Sequence, residues 1–243
     1  MLPMDLSYQP NLWTVESLSA AAVSELLVAA LTHKRAAAPS LALRGRHVAL
    51  LCSAPDSAPA QLFCDAAAAL GAKLSIVRPH AAQLADPQRG DAAARMLGRL
   101  YDAIGCDGGD AAMLATLVRE SEAPVLTLPS GVQHPTPLLA DLMAMQEAAP
   151  RPFAQLRMGL VGDEFSPVVA AWRHVARATG LQLCVCASPA VVGEVDFVCE
   201  AAGRRCADGR PALLATRRGH WLAEEQVANH RFTMRALLSR ALH

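Results

Sequence analysis

The segment His134-Pro135-Thr136-Pro137 contains two residues of types that could perform chemistry. His134 lies where a loop is predicted to enter a helix that runs to about Gln146, and an imidazole in that position could polarise a carbonyl oxygen. Thr136 adds a hydroxyl in the first turn of the same helix. A histidine in a loop is more often a solvated or capping residue than a catalytic one, so its interpretation depends on the rest of the chain.

A second polar group, Asp56 and Ser57, stands between a predicted buried strand and a predicted helix. Helix capping is the favoured interpretation, because a serine oxygen can accept a hydrogen bond from an N–H group of the first turn. Pro59 agrees with it, since a proline in the first turn removes an N–H group that has no helical partner. We therefore rank capping above catalysis at these positions.

A glycine-containing turn, Gly159-Leu160-Val161-Gly162-Asp163, follows another predicted strand and opens towards a helix. The third glycine and the downstream acidic residue of a dinucleotide site are not convincingly placed. The pattern indicates a tight turn. An unrelated nucleotide-binding protein is the alternative only if this turn holds a cofactor phosphate.

Strands alternate with alanine-rich helices along most of the chain. Strands are predicted at His47–Cys52, Leu74–Val77, Ala103–Cys106, Pro124–Leu128, Met158–Val161, Leu181–Cys186, Asp196–Cys199 and Ala212–Leu214. Helices are predicted at Leu18–Leu31, Ala58–Leu70, Ala92–Leu100, Ala111–Glu120, after His134, at Pro167–Ala178 and at Glu224–Leu242. The alternation predicts an α/β protein with parallel sheets flanked by helices, and ligands at the carboxyl ends of the strands.

Two domains are predicted. The Pro-containing segment Ala148–Pro152 is the best boundary, which gives a first domain at 1–150 and a second at 151–223. The second is short, and one or two elements of a full domain are expected to be missing from it. The apolar residues of the terminal helix, 224–242, recur at near-helical spacing and need to be covered, so we expect this helix to pack back on the first domain.

The composition excludes several classes of protein. The chain has 22 basic and 22 acidic residues, so it offers no electrostatic case for nucleic acid or an anionic membrane as partner. No apolar run approaches the roughly 20 residues that span a bilayer, and the first residues do not resemble a secretion signal. The seven scattered cysteines fit reduced thiols in a cytoplasmic protein, and Cys184 and Cys186 are expected on one side of a strand without a metal.

Several segments in order resemble one family. His134 to Asp141 resembles the H-P-[TC]-Q-A-L-x-D motif of aspartate and ornithine carbamoyltransferases. Gln226–Asn229 with Met234–Leu238 resembles their terminal helix, and Arg218-Gly219 stands where the ornithine branch has its H-R-G. The resemblance runs from about residue 12 to 242. It implies a two-domain fold, no cofactor, and a homotrimer with pockets between neighbouring subunits.

The same resemblance implies roles for particular residues. His134 would polarise the carbonyl and Arg218 would steady charge, so these two are the candidate catalytic residues. Ser57, Thr136 and Asp163 are the candidate ligand-binding residues, with Asp163 in the turn that enters the amino-acid-binding domain. His134 would lie in the cleft between the domains.

The chain departs from the family pattern where the phosphate of carbamoyl phosphate would bind. Ala58 and Ala60 replace the two arginines of the S-x-R-T-R motif, and Asp107 replaces a third arginine. Asp56 replaces the leading serine, although Ser57 keeps a hydroxyl, and Pro137 replaces a glutamine. Since each charged hydrogen bond contributes about 1.5–3 kcal/mol, these exchanges predict weak binding of a phosphate dianion.

Three functions are consistent with these residues. The chain is a diverged transferase that acts on a less anionic substrate, a non-catalytic relative that binds a small molecule or a partner subunit, or a working carbamoyltransferase that acts on an amino-acid amine. The lost arginines favour the first two. The expected ligand is a small molecule such as an amino acid or a carbamoyl compound.

Overall fold

The computed structural model describes residues 14–38, 40–78, 84, 86, 89–109, 111–129, 134–187, 194–200, 213–216 and 219–242. The described residues form two compact units. The first unit comprises those between 36 and 129 together with 237–242, and the second comprises 14–35 and those between 134 and 236. The predicted division into domains at 1–150 and 151–223 stays a prediction.

The helices and strands follow the predicted alternation. The strands are β1 (His47–Leu51), β2 (Lys73–Val77), β3 (Ala103–Cys106), β4 (Val125–Thr127), β5 (Arg157–Val161), β6 (Gln182–Cys186), β7 (Phe197–Glu200) and β8 (Leu213–Thr216). The α-helices are α1 (Ala20–Arg35), α2 (Ala58–Ala69), α3 (Gly90–Leu100), α4 (Ala111–Glu120), α5 (Pro135–Ala148), α6 (Pro167–Thr179) and α7 (Ala223–Ala241). Short 3-10 turns cover Val15–Ser17 and Phe153–Gln155.

The first unit is built on a four-stranded parallel sheet in the order β2-β1-β3-β4. Strand β3 is buried along its whole length, as expected for a central strand of a parallel sheet. Two glycines of this unit, one in β3 and one in α3, allow close packing against neighbouring residues. A Cβ atom at Gly105 would lie 2.5 Å from the ring of Phe63, and one at Gly98 in α3 would lie 1.5 Å from the backbone oxygen of Ser121. Only a residue without a side chain allows these approaches.

The second unit contains a four-stranded sheet in the order β6-β5-β7-β8. Strands β6, β5 and β7 are parallel, and β8 is antiparallel to β7. The sequence pattern did not predict this reversal, because the period of apolar residues within a strand carries no information about its direction. The outer edge of β8 is covered by a turn, in which Ala215 bridges Trp221 and Leu222 N–H donates to Leu214 O.

Helix α5 is the central helix of the second unit. Every residue from Pro135 to Met145 is buried, so this helix is covered on all sides. Helix α7 is joined to it by polar contacts. Gln226 Nε2 donates to Asp141 Oδ1 at 2.5 Å, and Thr233 Oγ1 donates to Thr136 O at 3.2 Å. Both bonds run from side chains of α7 to α5, so they link the two helices at two positions.

The C-terminal ends of α1 and α5 meet the first half of α7 in a small charged network. Lys34 Nζ lies 2.6 Å from Glu147 Oε1 and donates to Asn229 Oδ1 at 2.7 Å. Asn229 Nδ2 in turn donates to Glu147 Oε2 at 3.2 Å. Each of the three polar groups therefore has a partner, which limits the penalty of removing them partly from water.

The predicted fold class is confirmed: both units are α/β, with sheets that are parallel or mainly parallel and are flanked by helices. Among the described residues, no helix is long and apolar enough to cross a bilayer. Cys184 and Cys186 belong to one strand, as predicted, with Cys184 exposed.

Candidate functional site

The structure places the predicted site residues in two groups. Ser57 and Asp107 belong to the first unit, and His134, Thr136 and Asp163 belong to the second. The predicted catalytic residue Arg218 lies outside the described residues.

The first group is formed where β1 and β3 end and α2 begins. Ser57 is the N-cap of α2, with extended backbone angles (φ −65°, ψ 146°), and its Oγ accepts a hydrogen bond from Ala60 N–H at 3.3 Å. The same hydroxyl donates to Asp107 Oδ2 at 2.8 Å. Asp107 is held by its own backbone, whose N–H donates to Leu51 O at 2.8 Å. A carboxylate is therefore fixed beside the first turn of the helix.

This arrangement uses most of the donors that a helix N-terminus would offer an anion. Pro59 has no N–H group, and Ser57 Oγ occupies the N–H of Ala60. Ser57 N–H donates to Ala54 O, and Gln61 N–H makes the first helical bond to Ser57 O. Within the described part of the chain, the N–H of Ala58 is the one donor of this turn without a hydrogen bond. Capping, the favoured sequence interpretation, is what Ser57 does.

Asp56, by contrast, is exposed to solvent in the turn before Ser57, as is Ala58 after it. Ala60 is completely buried. An arginine at Ala58 could extend into solvent or towards a ligand, whereas one at Ala60 would have to displace packed atoms. The three positions that differ from the family motif are thus not equivalent.

Two cysteine thiols and one arginine lie near the Ser57–Asp107 pair. Burial raises the pKa of Cys52, and the charge of Asp107 raises it further, while Arg78 lowers it. Burial alone raises the pKa of Cys106 to about 12. These thiols are protonated at neutral pH and are poor nucleophiles. Arg78, which directly follows β2, is a cation near this edge that sequence reasoning missed, although its position after a strand was the available signal.

The second group is centred on His134, which is the N-cap of α5. His134 is 7% exposed, and its Nδ1 accepts a hydrogen bond from Thr136 N–H at 3.2 Å. An imidazole that accepts through Nδ1 carries its proton on Nε2 when it is neutral. The ring is therefore set up as an Nε2–H donor, which is the form that can polarise a carbonyl oxygen. The capping and the chemical interpretations of this histidine are compatible.

Thr136 and Asp141 lie further along α5. Thr136 is completely buried, and its Oγ1 has no hydrogen-bond partner among the described residues. Its carbonyl oxygen accepts from Thr233. Asp141 is 4% exposed and accepts from Gln226, whose Oε1 accepts from Leu214 N–H at 3.5 Å. Asp141 thus joins α5 to α7, and Gln226 links this pair to β8, a structural use that the sequence did not reveal.

Asp163 lies in the turn between β5 and α6 and is exposed. Its Oδ1 accepts from Phe165 N–H at 3.1 Å, and its carbonyl oxygen accepts from Ser166 N–H at 3.0 Å. These bonds shape a tight turn before the helix, in agreement with the sequence interpretation of Gly159 to Asp163. Within the described residues, no three His, Cys, Asp or Glu side chains are grouped so that they could hold a metal ion.

Comparison with known proteins identifies one matching family and several similar proteins. The family described as "Aspartate/ornithine carbamoyltransferase, carbamoyl-P binding domain" matches residues 11–147, more than half of the chain. The catabolic ornithine carbamoyltransferase of Rhizobium meliloti (strain 1021) is 27% identical over 144 residues, which are 59% of this chain and 43% of that protein. The ornithine carbamoyltransferase of Actinobacillus pleuropneumoniae serotype 5b (strain L20) is 28% identical over 156 residues, 64% of this chain and 47% of that protein.

These alignments leave more than half of each relative unmatched, so the chain spans under half the length of the proteins that it resembles in sequence. The fold comparison extends further. The crystal structure of ornithine carbamoyltransferase from Thermus thermophilus matches with a TM-score of 0.70 and 18% identity, and the match covers 100% of both chains. At that identity, the match establishes a shared fold.

Proposed function

Because the chain belongs to the aspartate/ornithine carbamoyltransferase family through its carbamoyl-P binding domain, we propose that it is a diverged member that does not use carbamoyl phosphate in the ordinary way. It binds a less anionic small molecule, such as an amino acid or a neutral carbamoyl compound. It is either non-catalytic or acts on that altered substrate. Predicted membership of the family is confirmed, and the proposal concerns what this member does.

The observation that carries the proposal is the bond between Ser57 and Asp107. A hydroxyl that donates to a carboxylate and accepts from Ala60 N–H has no hydrogen left for a phosphate oxygen. The carboxylate stands where the resemblance implies a cation, and the first turn of α2 has one N–H group to offer. A dianion there would meet repulsion and few donors.

The replaced arginines support the same conclusion. Ala58, Ala60 and Asp107 together remove three cations and add one anion. Each charged hydrogen bond is worth about 1.5–3 kcal/mol, and Arg78 alone does not replace three guanidinium groups. An uncharged group or an amine fits this edge of the sheet better than a phosphate does.

His134 supports a second candidate, a working carbamoyltransferase that transfers a carbamoyl group to an amino-acid amine. Its Nδ1 bond to Thr136 N–H leaves the proton on Nε2, as carbonyl polarisation requires. In this candidate, His134 and Arg218 are the catalytic residues. Ser57, Thr136 and Asp163 are the substrate-binding residues in either case.

We further propose that the protein is a homotrimer that acts in the cytoplasm without a cofactor, a nucleic acid or a membrane as partner. The trimer is proposed from the family, and the other statements are proposed from the neutral charge balance and the thiols.

The test is a steady-state assay for citrulline and carbamoyl-aspartate, together with thermal shifts for carbamoyl phosphate, amino acids and neutral carbamoyl compounds. We expect no turnover near that of a working transferase, and stabilisation by a neutral or amine ligand in excess over its Kd. His134→Asn is the matched variant, because asparagine is also a good N-cap but has no imidazole. Ordinary turnover that this variant abolishes would overturn the first candidate and support the second.

A further inference from the structure

Among the described residues of the second unit, one edge of the sheet has no covering element. Strand β6 lies at the end of the order β6-β5-β7-β8, and no described residue pairs with its outer side. The opposite edge, β8, is covered by the turn at Trp221. Exposed edges pair readily with other strands unless charges, prolines or bulges prevent it. Gln182-Leu183-Cys184-Val185-Cys186 contains no charged residue and no proline.

The backbone of β6 shows which groups are available. Gln182 N–H donates to Leu156 O, and Cys186 O accepts from Gly162 N–H, so these residues turn their backbone groups towards β5. Because this direction alternates along a strand, the backbone N–H and C=O groups of Cys184 also point towards β5, while those of Leu183 and Val185 point outwards. The outer edge therefore presents two N–H and two C=O groups.

We propose that this edge pairs with the β6 edge of a second copy of the chain, antiparallel and about a two-fold axis at Cys184. In this register, Leu183 lies opposite Val185 of the second copy, and the reverse pair follows by symmetry. Both pairs exchange two hydrogen bonds, which uses all four outward groups of each copy. Both of these pairs place an apolar side chain opposite an apolar side chain, and such pairs stabilise a sheet.

An open groove lies beside this edge. Leu183 and Val185 line an open groove of about 460 Å³ between β6 and α6, together with Leu181, Glu164, Arg173 and Arg177. Arg173 Nη2 lies 2.5 Å from Glu164 Oε1, while Arg177 has no ion pair among the described residues. Glu164 and Arg173 neutralise each other within one copy, so Arg177 is, in the described part of this groove, the one uncompensated charge beside the apolar residues Leu183 and Val185.

A disulfide cross-link through Cys184 can test the proposed register. It is exposed and faces away from the groove side of the strand. In the proposed pairing it lies opposite itself as a non-hydrogen-bonded pair, with Cα atoms about 4.5 Å apart. This separation is within the range of a disulfide bond, about 4.4–6.8 Å.

The first experiment uses charge at this residue. In reducing buffer, sedimentation should give Cys184→Lys half the particle mass of the unchanged chain, because two ammonium groups then lie opposite each other. Cys184→Asp should behave likewise, and an equal mixture of the two should recover the full mass. Ser24→Lys, at an exposed site on α1, is the control that should change nothing. Loss of this two-fold interface halves the mass whether or not the chain also forms the proposed homotrimer, whereas loss of a three-fold interface would reduce the mass to a third.

The second experiment needs no charge change. Diamide oxidation of the unchanged chain should give a covalent dimer on a non-reducing gel, and Cys184→Ser should lose that band. The proposal is overturned if Cys184→Lys keeps the mass of the unchanged chain, if the mixture does not reassociate, or if the dimer band persists in Cys184→Ser.

Discussion

Returning positive charge to the start of α2 should restore the binding of anions there. The change is the double variant Ala58→Arg/Asp107→Arg. It removes the carboxylate that Ser57 Oγ contacts at 2.8 Å and adds guanidinium groups at two of the three positions where the family has arginine. Ala58 is exposed, so its arginine needs no repacking, whereas the buried Ala60 is left unchanged.

The size of the effect follows from the exposure of the two sites. Ala58 is exposed and Asp107 is half-buried, so solvent screens both new charges. We therefore assign each arginine the low end of a charged hydrogen bond, about 1.5 kcal/mol. The sum of about 3 kcal/mol corresponds to binding on the order of 100-fold tighter. The gain should shrink as salt is raised, because exposed charges are screened within about 10 Å at 0.1 M.

Calorimetric titration with phosphate and with carbamoyl phosphate measures this gain. Two control variants distinguish the effect of removing the carboxylate from the effect of adding cations at these positions. Ala58→Gln/Asp107→Gln removes the carboxylate without adding a cation and should recover a small fraction of the gain. Ser24→Arg/Ala170→Arg adds two arginines at exposed sites in the second unit and should recover none. Equal or weaker anion binding by a correctly folded Ala58→Arg/Asp107→Arg would show that these positions do not face the ligand, and the alignment behind the proposal would fail.

Three further predictions concern stability. Gly98→Ala should lower the melting temperature, since the added Cβ would lie 1.5 Å from Ser121 O, whereas helix propensity alone predicts about 1 kcal/mol of stabilisation. Gln226→Ala should lower the free energy of unfolding in urea by about 1–3 kcal/mol, because it leaves the buried Asp141 without this donor; an unchanged midpoint would contradict that role. Hydrogen bonds from the His47 N–H and the Arg46 side chain lower the pKa of Asp102 in the folded protein. The carboxylate therefore stabilises the fold above its unfolded pKa of about 3.9, and this stabilisation is lost as the pH falls through its folded pKa. Asp102→Asn should flatten the acid limb of the stability curve, and an unaltered limb would refute the assignment.

Much of the fold could be predicted from local sequence. The strand Ala103–Cys106 and the helix Ala111–Glu120 have the bounds that the pattern gave, and most other elements differ by a few residues at their ends. Periodicity and capping act within one element. Ser57 could therefore be recognised as a cap before its partner was known.

The contacts that decide the site join residues far apart in the chain. Ser57 and Asp107 are 50 positions apart, and Asp141 and Gln226 are 85 apart. The sequence placed Asp56 and Asp107 near one former anion site, but it did not show that Asp107 would accept from Ser57 while Asp56 stays exposed. Such pairs depend on how the strands order themselves, which no local pattern encodes.

The sequence by itself determined the family, the alternation of elements and the loss of the three cations, because each of these is a property of residue type and order. Only the tertiary structure decided that β8 is antiparallel, that β6 is an edge strand among the described residues, and that Ser57 joins the α2 cap to a carboxylate. Strand direction, edge position and side-chain partners depend on burial and hydrogen bonding between distant segments, and these are fixed when the whole chain packs.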